Sequence, residues 1–239
     1  LGPVWNVPPS MLPLIHGQVH IFRMKLDGVA RVDLGHLLDS HEQARSQRFL
    51  FEIHRTRFIN THIQTRQILG YLLGVDPASL AFTYNEYGKP ALTGSSLRFN
   101  ISHSQDWGLL AATLDQEIGV DIEVIRHEVN RSAIAARFFA PQEVQELQSL
   151  PESKQAEGFF HCWTRKEAYI KARGLGLKIP LRQFTVSVDP DQPARLLNTE
   201  PGAPSTWTAA ALDPGPGFCG AVVVEGKFQQ VLCWDWPFP

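Results

Sequence analysis

The 239-residue chain lacks the features that would put it in a specialised class. It has only three cysteines, Cys162, Cys219 and Cys233, with no CxxC pair and no Cys/His pattern of zinc spacing. That excludes a structural zinc site and a disulfide framework, and fits a reducing cytoplasm. No apolar run approaches the roughly 20 residues a membrane span needs, so no membrane partner is expected. The opening stretch LGPVWNVPPSMLPL has neither the basic start nor the continuous apolar segment of a signal peptide. Charge of one sign is missing too: 22 Lys and Arg against 24 Asp and Glu leave a formal net charge of −2. No global field draws nucleic acid, and any phosphate-binding surface must be a local cluster. Low-complexity tracts and simple tandem repeats are absent. What remains is a composition 44% hydrophobic and 19% charged, enough for ordinary cores and unlike charge-driven disorder.

Residues 1–18 are Pro-rich and expected to be extended, and the first of them carry no fold expectation. VHIFRMKL (19–26) alternates as a strand. A helical region follows, opened by a Ser40/Gln43 capping box with Asp39/Glu42 as the alternative register. It breaks near Phe51–Glu52 and stops at Gly74 and Pro77. Strands are expected at 80–84, 97–102, 107–114 and 118–125. A helix from Pro141 to about Leu150 and a longer one over Lys154–Arg173 come next. Strands at 184–188, 205–212, 218–225 and 229–236 close the chain. The order strand, helices, strands occurs twice, and LRFNIS–turn–WGLLAATL resembles STWTAAAL–turn–FCGAVVVE in layout. The expected fold class is α+β, with a weak internal duplication whose seam lies near residues 115–126.

Four clusters carry candidate chemistry. In GVDIE, Asp121 and Glu123 are two apart on a strand and share a face. Such a pair repels itself unless a cation neutralises it, and magnesium suits one or two carboxylates plus substrate phosphates. The plain alternative is a solvated acidic face. In WTRKEAYIK, Glu167 and Lys171 share a helix face at i,i+4 and could serve a metal and a phosphate together, or form a surface ion pair. Trp163 reads as a core anchor. In FNISHS, Ser102, His103 and Ser104 end a strand with phosphate donors, or make a polar turn. In YGKP, the turn exposes Lys89. Arg45, Arg48, Arg55, Arg57 and Arg66 crowd the first helices with guanidinium forks suited to phosphate, interleaved with Glu42 and Glu52.

In this order and spacing, YGKP, FNISHS, GVDIE and WTRKEAYIKARGLGL resemble the 4′-phosphopantetheinyl transferase family, in its larger, two-lobed, Sfp-type branch. The likeness covers roughly residues 40–190; its specific element is G-[VI]-D-x-E followed some forty residues later by W-[ST]-x-K-E-[AS]-x-x-K. The resemblance implies two similar α/β lobes, 1–115 and 116–239, related by pseudo-twofold symmetry with the active site in the cleft between them. It implies transfer of 4′-phosphopantetheine from coenzyme A to a serine of an apo acyl or peptidyl carrier protein, releasing adenosine 3′,5′-bisphosphate. The setting would be fatty acid, polyketide or non-ribosomal peptide biosynthesis, by a cytoplasmic monomer. By position, Asp121, Glu123 and Glu167 match metal carboxylates for Mg2+, with Mn2+ as an alternative, and Glu167 is also a proposed base. Lys171 matches the lysine at the pyrophosphate, Ser102 and His103 the pair at the 3′-phosphate, and Lys89 the nucleotide-site lysine. Glu143 falls where the family has another glutamate with a catalytic role. The first helix departs: Arg45 fits a basic position, but the one a turn earlier falls on Glu42, so Arg55 or Arg57 would resupply the grip.

Two rivals belong to other classes: a non-catalytic module of the same fold that only binds coenzyme A or a nucleotide, and a magnesium-dependent phosphatase or nucleotidyl transferase. The segment Ile125–Phe139 follows the acidic strand and mixes Arg126, Arg131 and Arg137 with Ile134, Phe138 and Phe139. It is read as the carrier-protein docking surface, against the alternative of a linker whose apolar residues are core.

Overall fold

The structure is a computed structural model that describes residues 4–28, 30–203 and 206–237. In chain order the strands and helices are β1 (Trp5–Asn6), β2 (Gln18–Lys25), α1 (Ser40–Ser46), α2 (Glu52–Leu73), β3 (Phe82–Tyr84), β4 (Pro90–Leu92), β5 (Leu97–Ser104), β6 (Trp107–Leu114) and β7 (Ile118–Val124). They continue with α3 (Arg131–Phe138), α4 (Pro141–Ser149), α5 (Glu152–Arg173), β8 (Thr185–Val186), β9 (Leu196–Asn198), β10 (Trp207–Leu212), β11 (Phe218–Glu225) and β12 (Gln230–Asp235). Helices and strands mix as the α+β reading expects. Among the described residues no helix is long and apolar enough to cross a membrane.

Two sheets organise the fold, one of five strands in the order β1-β12-β2-β6-β5 and one of three in the order β10-β11-β7. Period-two alternation sorts their side chains into layers. Val19 and Ile21 of β2 and Leu109 and Ala111 of β6 meet Ile118, Val120 and Ile122 of β7 and Val222 and Val224 of β11. The intervening residues Phe22, Met24 and Leu110 face the other way and bury Ile68, Leu69 and Leu72 of α2. On the far side, Cys219, Ala221 and Val223 of β11 pack on α5. The layers therefore run helix, sheet, sheet, helix. The order β2–α2–β5–β6 recurs as β7–α5–β10–β11; each time the pairings are antiparallel and the last strand joins the other two. Both long helices stop on a left-handed glycine, Gly74 at φ 66° and Gly174 at φ 63°.

The structure corrects several expectations. The first residues, given no place in the fold by the sequence, are part of it: Trp5 and Asn6 pair with Cys233 and Trp234, and Trp5 Nε1 donates to the Asp213 carbonyl at 2.6 Å. The final strand β12 pairs in parallel with β2 and so returns to the sheet of the first half. The capping box forms in the Asp39/Glu42 register, because Glu42 is then placed where Arg66 and His62 meet its carboxylate. FTVSV shortens to Thr185–Val186, since the Ser187 carbonyl accepts from the buried Arg165 guanidinium. The expected start of the 205–212 strand at Ser205 lies outside the described residues; β10 begins at Trp207.

One contact fixes α5 against β7. A Cβ added to Gly119 would lie 2.1 Å from the Ala168 carbonyl oxygen and 2.3 Å from the Ala172 nitrogen, both helix backbone that cannot yield locally. Gly119→Ala is expected to lower stability by about 3 kcal/mol, read from the midpoint of urea unfolding at constant slope. An unchanged midpoint would mean that α5 does not sit this close to β7.

Candidate active site

A cavity of about 1150 Å³ opens where the end of β5, the middle of β7, the last turns of α5 and the first half of α2 come together. Strand alternation turns Asp121 and Glu123 away from the intersheet core and toward α5, and the seating of that helix on Gly119 brings Glu167 and Lys171 beside them. Lys171 Nζ donates to Asp121 Oδ1 at 2.7 Å and to Ser102 Oγ at 2.8 Å, and Ser102 Oγ donates to the same Oδ1 at 2.8 Å. Asp121 Oδ2 is buried without a hydrogen-bond partner. Glu123 Oε2 accepts from Ser104 Oγ at 3.0 Å. Burial, and after it the charge of Asp121, pushes both the Glu123 and the Glu167 carboxyls above their ordinary range.

These three carboxylates were expected to hold one divalent ion. Among the described residues no three acidic, His or Cys side chains form a ready metal site. The lysine ammonium, rather than a common point between the three acids, takes up Asp121 Oδ1. The donor chemistry nevertheless fits a hard cation: oxygen ligands only, an orphaned buried carboxylate oxygen, and two neighbours whose charge is unfavourable until neutralised.

The remaining expected residues divide into those that line the cavity and those that do not. Ser102 is buried at its floor and His103 is exposed into it; burial and then Lys171 lower the imidazole's affinity for a proton. Lys89 lines it as well, but its Nζ donates to Glu117 Oε2 at 2.5 Å and to the Ala172 carbonyl at 2.8 Å, so it also ties the turn to the end of α5. Arg45 is exposed, its guanidinium 5.4 Å over the Phe58 ring. Arg57 reaches the cavity already paired with Asp27 at 2.6 Å, while Arg55 does not line it. Glu42 is buried; burial alone would raise its pKa, but hydrogen bonds from His62 and the Asp39 amide, with the charges of His62 and Arg66, hold it at about 2.

Glu143 is not brought to this group. It is wholly buried, accepts from the Ala140 and Val186 amides at 2.7 and 2.8 Å, and pairs with buried Lys166 at 2.8 Å. It caps α4 and joins it to α5. In the Ile125–Phe139 segment, Ile134 and Phe138 are half-buried against the core, Phe139 is fully buried, and Arg131 bonds the Arg126 and His127 carbonyls of its own loop. Arg126 alone of its arginines lines the cavity. The sequence reading left Asn100 without a role and read Ser104 only as a phosphate donor, whereas both tie β5 to β7. Asn100 Oδ1 accepts from the Val120 amide at 2.9 Å and Ser104 Oγ from the Val124 amide at 3.1 Å. The signal was present in FNISHS, as polar residues at every second position of an otherwise apolar strand.

Residues 117–223 match the family described as the 4′-phosphopantetheinyl transferase superfamily, and residues 32–115 the one described as 4′-phosphopantetheinyl transferase, N-terminal. The chain is 38% identical to 4′-phosphopantetheinyl transferase HetI of Nostoc sp., over 97% of its own length and 98% of the relative's. It is 35% identical to 4′-phosphopantetheinyl transferase psf-1 of Bacillus pumilus, over 72% and 73% of the two chains. Among solved structures, the holo-[acyl-carrier-protein] synthase of Thermotoga maritima is similar at 18% identity and a TM-score of 0.38, covering 46% of this chain and 63% of that one.

Glu167 has a raised pKa and no ion pair or hydrogen bond among those of the described residues, so its charge costs stability. Its folded pKa lies above the unfolded one, so this cost is absent below about pH 4.5 and grows as pH rises through the folded value. Glu167→Gln is expected to melt a few degrees higher than the wild type at pH 7.5 in chelator. The difference should vanish by pH 4. A variant that melts lower at neutral pH would refute the repulsion.

Proposed function

Because this chain belongs to the 4′-phosphopantetheinyl transferase superfamily, and is therefore a transferase, we propose that it moves the phosphopantetheine arm of coenzyme A onto a serine of an apo acyl or peptidyl carrier protein, with adenosine 3′,5′-bisphosphate as the other product. One observation carries this reading: Asp121, Glu123, Glu167, Lys171, Ser102 and His103 face one cavity, in which the Lys171 ammonium joins Asp121 to Ser102. The recurring strand–helix–strand–strand order supports two lobes, 1–115 and 116–239, in pseudo-twofold relation about that cavity. All of these residues come from one chain, which suits a monomer, and three free buried cysteines suit the cytoplasm.

The chemistry is a displacement at phosphorus. The serine oxygen forms a new bond to the phosphorus bearing pantetheine, the bond to the bridging oxygen of the pyrophosphate breaks, and the electron pair leaves with the nucleotide. Glu167, made a stronger base by its surroundings, takes the serine proton. Lys171 is already held at the acidic cluster and donates to the departing phosphate oxygens, while Ser102 fixes its ammonium. Ser102 and His103 hold the 3′-phosphate from the β5 end, Lys89 and Arg45 the nucleotide side. Asp121, Glu123 and Glu167 would hold a magnesium ion, or manganese, which supplies neutralisation of the phosphate charge when bound.

The test is to incubate the protein with coenzyme A, magnesium and a panel of apo carrier proteins and to weigh the carriers. A mass gain of one phosphopantetheine is expected, lost in excess chelator and reduced at least a hundredfold in Asp121→Ala. Binding of coenzyme A with no gain on any carrier would leave only a binding module. For the phosphate clamp, His103→Ala should weaken coenzyme A roughly tenfold and its 3′-dephospho form hardly at all. Equal loss for both would remove His103 from that role.

A further inference from the structure

Four large apolar side chains stand in water within five residues: Phe49 at 36% exposure, Leu50 at 93%, Phe51 at 66% and Ile53 at 44%. They form the bend between α1 and α2 and the first turn of α2. Single exposed apolar residues are ordinary, whereas a contiguous ribbon marks a surface that meets a partner. This ribbon runs into the cavity rim: Phe49 contacts Phe58 with ring centroids 5.3 Å apart, and both line the cavity together with His54. Arg45 and Arg48 are exposed beside it, with no acidic partner among the described residues, and Glu52 is offset by Arg55 at 3.8 Å. The neighbouring acid Glu42 is buried and engaged by Arg66. The surface is thus apolar at its centre and positive at its edge.

We infer that the Phe49–Ile53 ribbon is the docking surface for the acceptor protein, which sets apolar side chains next to its target serine on Leu50 and Phe51 and acidic side chains against Arg48. The inference rests on the transferase reading, since it is the serine's route to the cavity that gives the ribbon its occupant. α3 does not compete for the apolar part of the role, because Ile134 and Phe138 pack on the core and Phe139 is fully buried. A second copy of the chain is a poorer occupant. Four side chains present well under the roughly 800 Å² that each partner buries in a stable complex, while a small contact suits a partner that must leave after each turnover. Charge at the edge then sets approach and orientation, and the apolar centre sets residence.

The test uses the full chain with apo carrier protein and coenzyme A. The double variant Leu50→Ser, Phe51→Ser should raise KM for the carrier about tenfold, with KM for coenzyme A and kcat within twofold of the wild type. Leu50→Met should behave as the wild type. Arg48→Glu should raise the carrier KM severalfold at low salt, and the effect should shrink as salt screens it. Equal circular dichroism and melting temperature show the variants folded, as expected for side chains this exposed. Normal transfer with an unchanged carrier KM in the double variant overturns the docking surface and leaves the transferase reading standing. So does a wild-type dimer in sedimentation that the double variant dissociates without altering the carrier KM. Wild-type protein that binds coenzyme A but modifies no carrier overturns both.

Discussion

Strands β5 and β7 lie side by side without a shared backbone ladder, and the site depends on how that gap is filled. Asn100, Ser102 and Ser104 project from alternate positions of β5 and take the place of the missing partners, two of them by capturing β7 amides directly. The same hydroxyls, those of Ser102 and Ser104, also reach the carboxylates of Asp121 and Glu123. A backbone ladder would have joined the sheets more simply and left the acids without side-chain donors. Using side chains, the junction that holds the two sheets together also aims the acidic groups, so that position and stability come from one set of bonds.

The cavity contains two kinds of carboxylate, and their difference is physical. Glu42 has an imidazole, a guanidinium and an amide around it and stays ionised down to about pH 2. It completes a helix start and braces α1 on α2. Glu123 and Glu167 are only half-buried but have too few positive partners, so their charge is unfavourable where they are. Proteins remove such repulsion unless something else depends on it, which is why perturbed acids gather at reactive places. Lys171 bonds Asp121 through Oδ1 alone and leaves the other oxygen of that carboxylate without a partner, and its charge offsets only part of the rise at Glu123 and Glu167.

Much of this was legible in the chain. The alternation in GVDIE put two acids on one face, and the i,i+4 spacing put Glu167 and Lys171 on another; the structure makes those faces adjacent. What local pattern could not carry was long-range pairing. Nothing near residue 230 says that its strand runs parallel to one at residue 18, or that Trp5 will lie alongside both. Glu143 was placed by family likeness in a catalytic role, although Ala140-Pro141-Gln142-Glu143 carries a helix-start signature, with Pro in the first turn and Glu at the third position. The competing possibility, that a charge pairs in the core with Lys166, depends on a contact no window of sequence displays. Phe138 and Leu50 look alike as apolar residues near arginines; only burial separates them.

The turn after β3 has a mechanical meaning. Asn85 Nδ2 donates to the Gly174 carbonyl at 2.7 Å and Lys89 Nζ to that of Ala172, so a loop of the first half buckles onto the free carbonyls that end α5 in the second. Helix ends otherwise fray, and this one cannot do so while the buckle is closed. Thermal fluctuation of the second half is thereby coupled to the first, and the two should lose structure together in a single transition, although each has its own core. The cavity is bridged at its Lys89 edge by a fastening whose release would leave the last carbonyls of the helix without these donors. Its span is accordingly a built-in dimension of the molecule and not something each ligand sets on arrival.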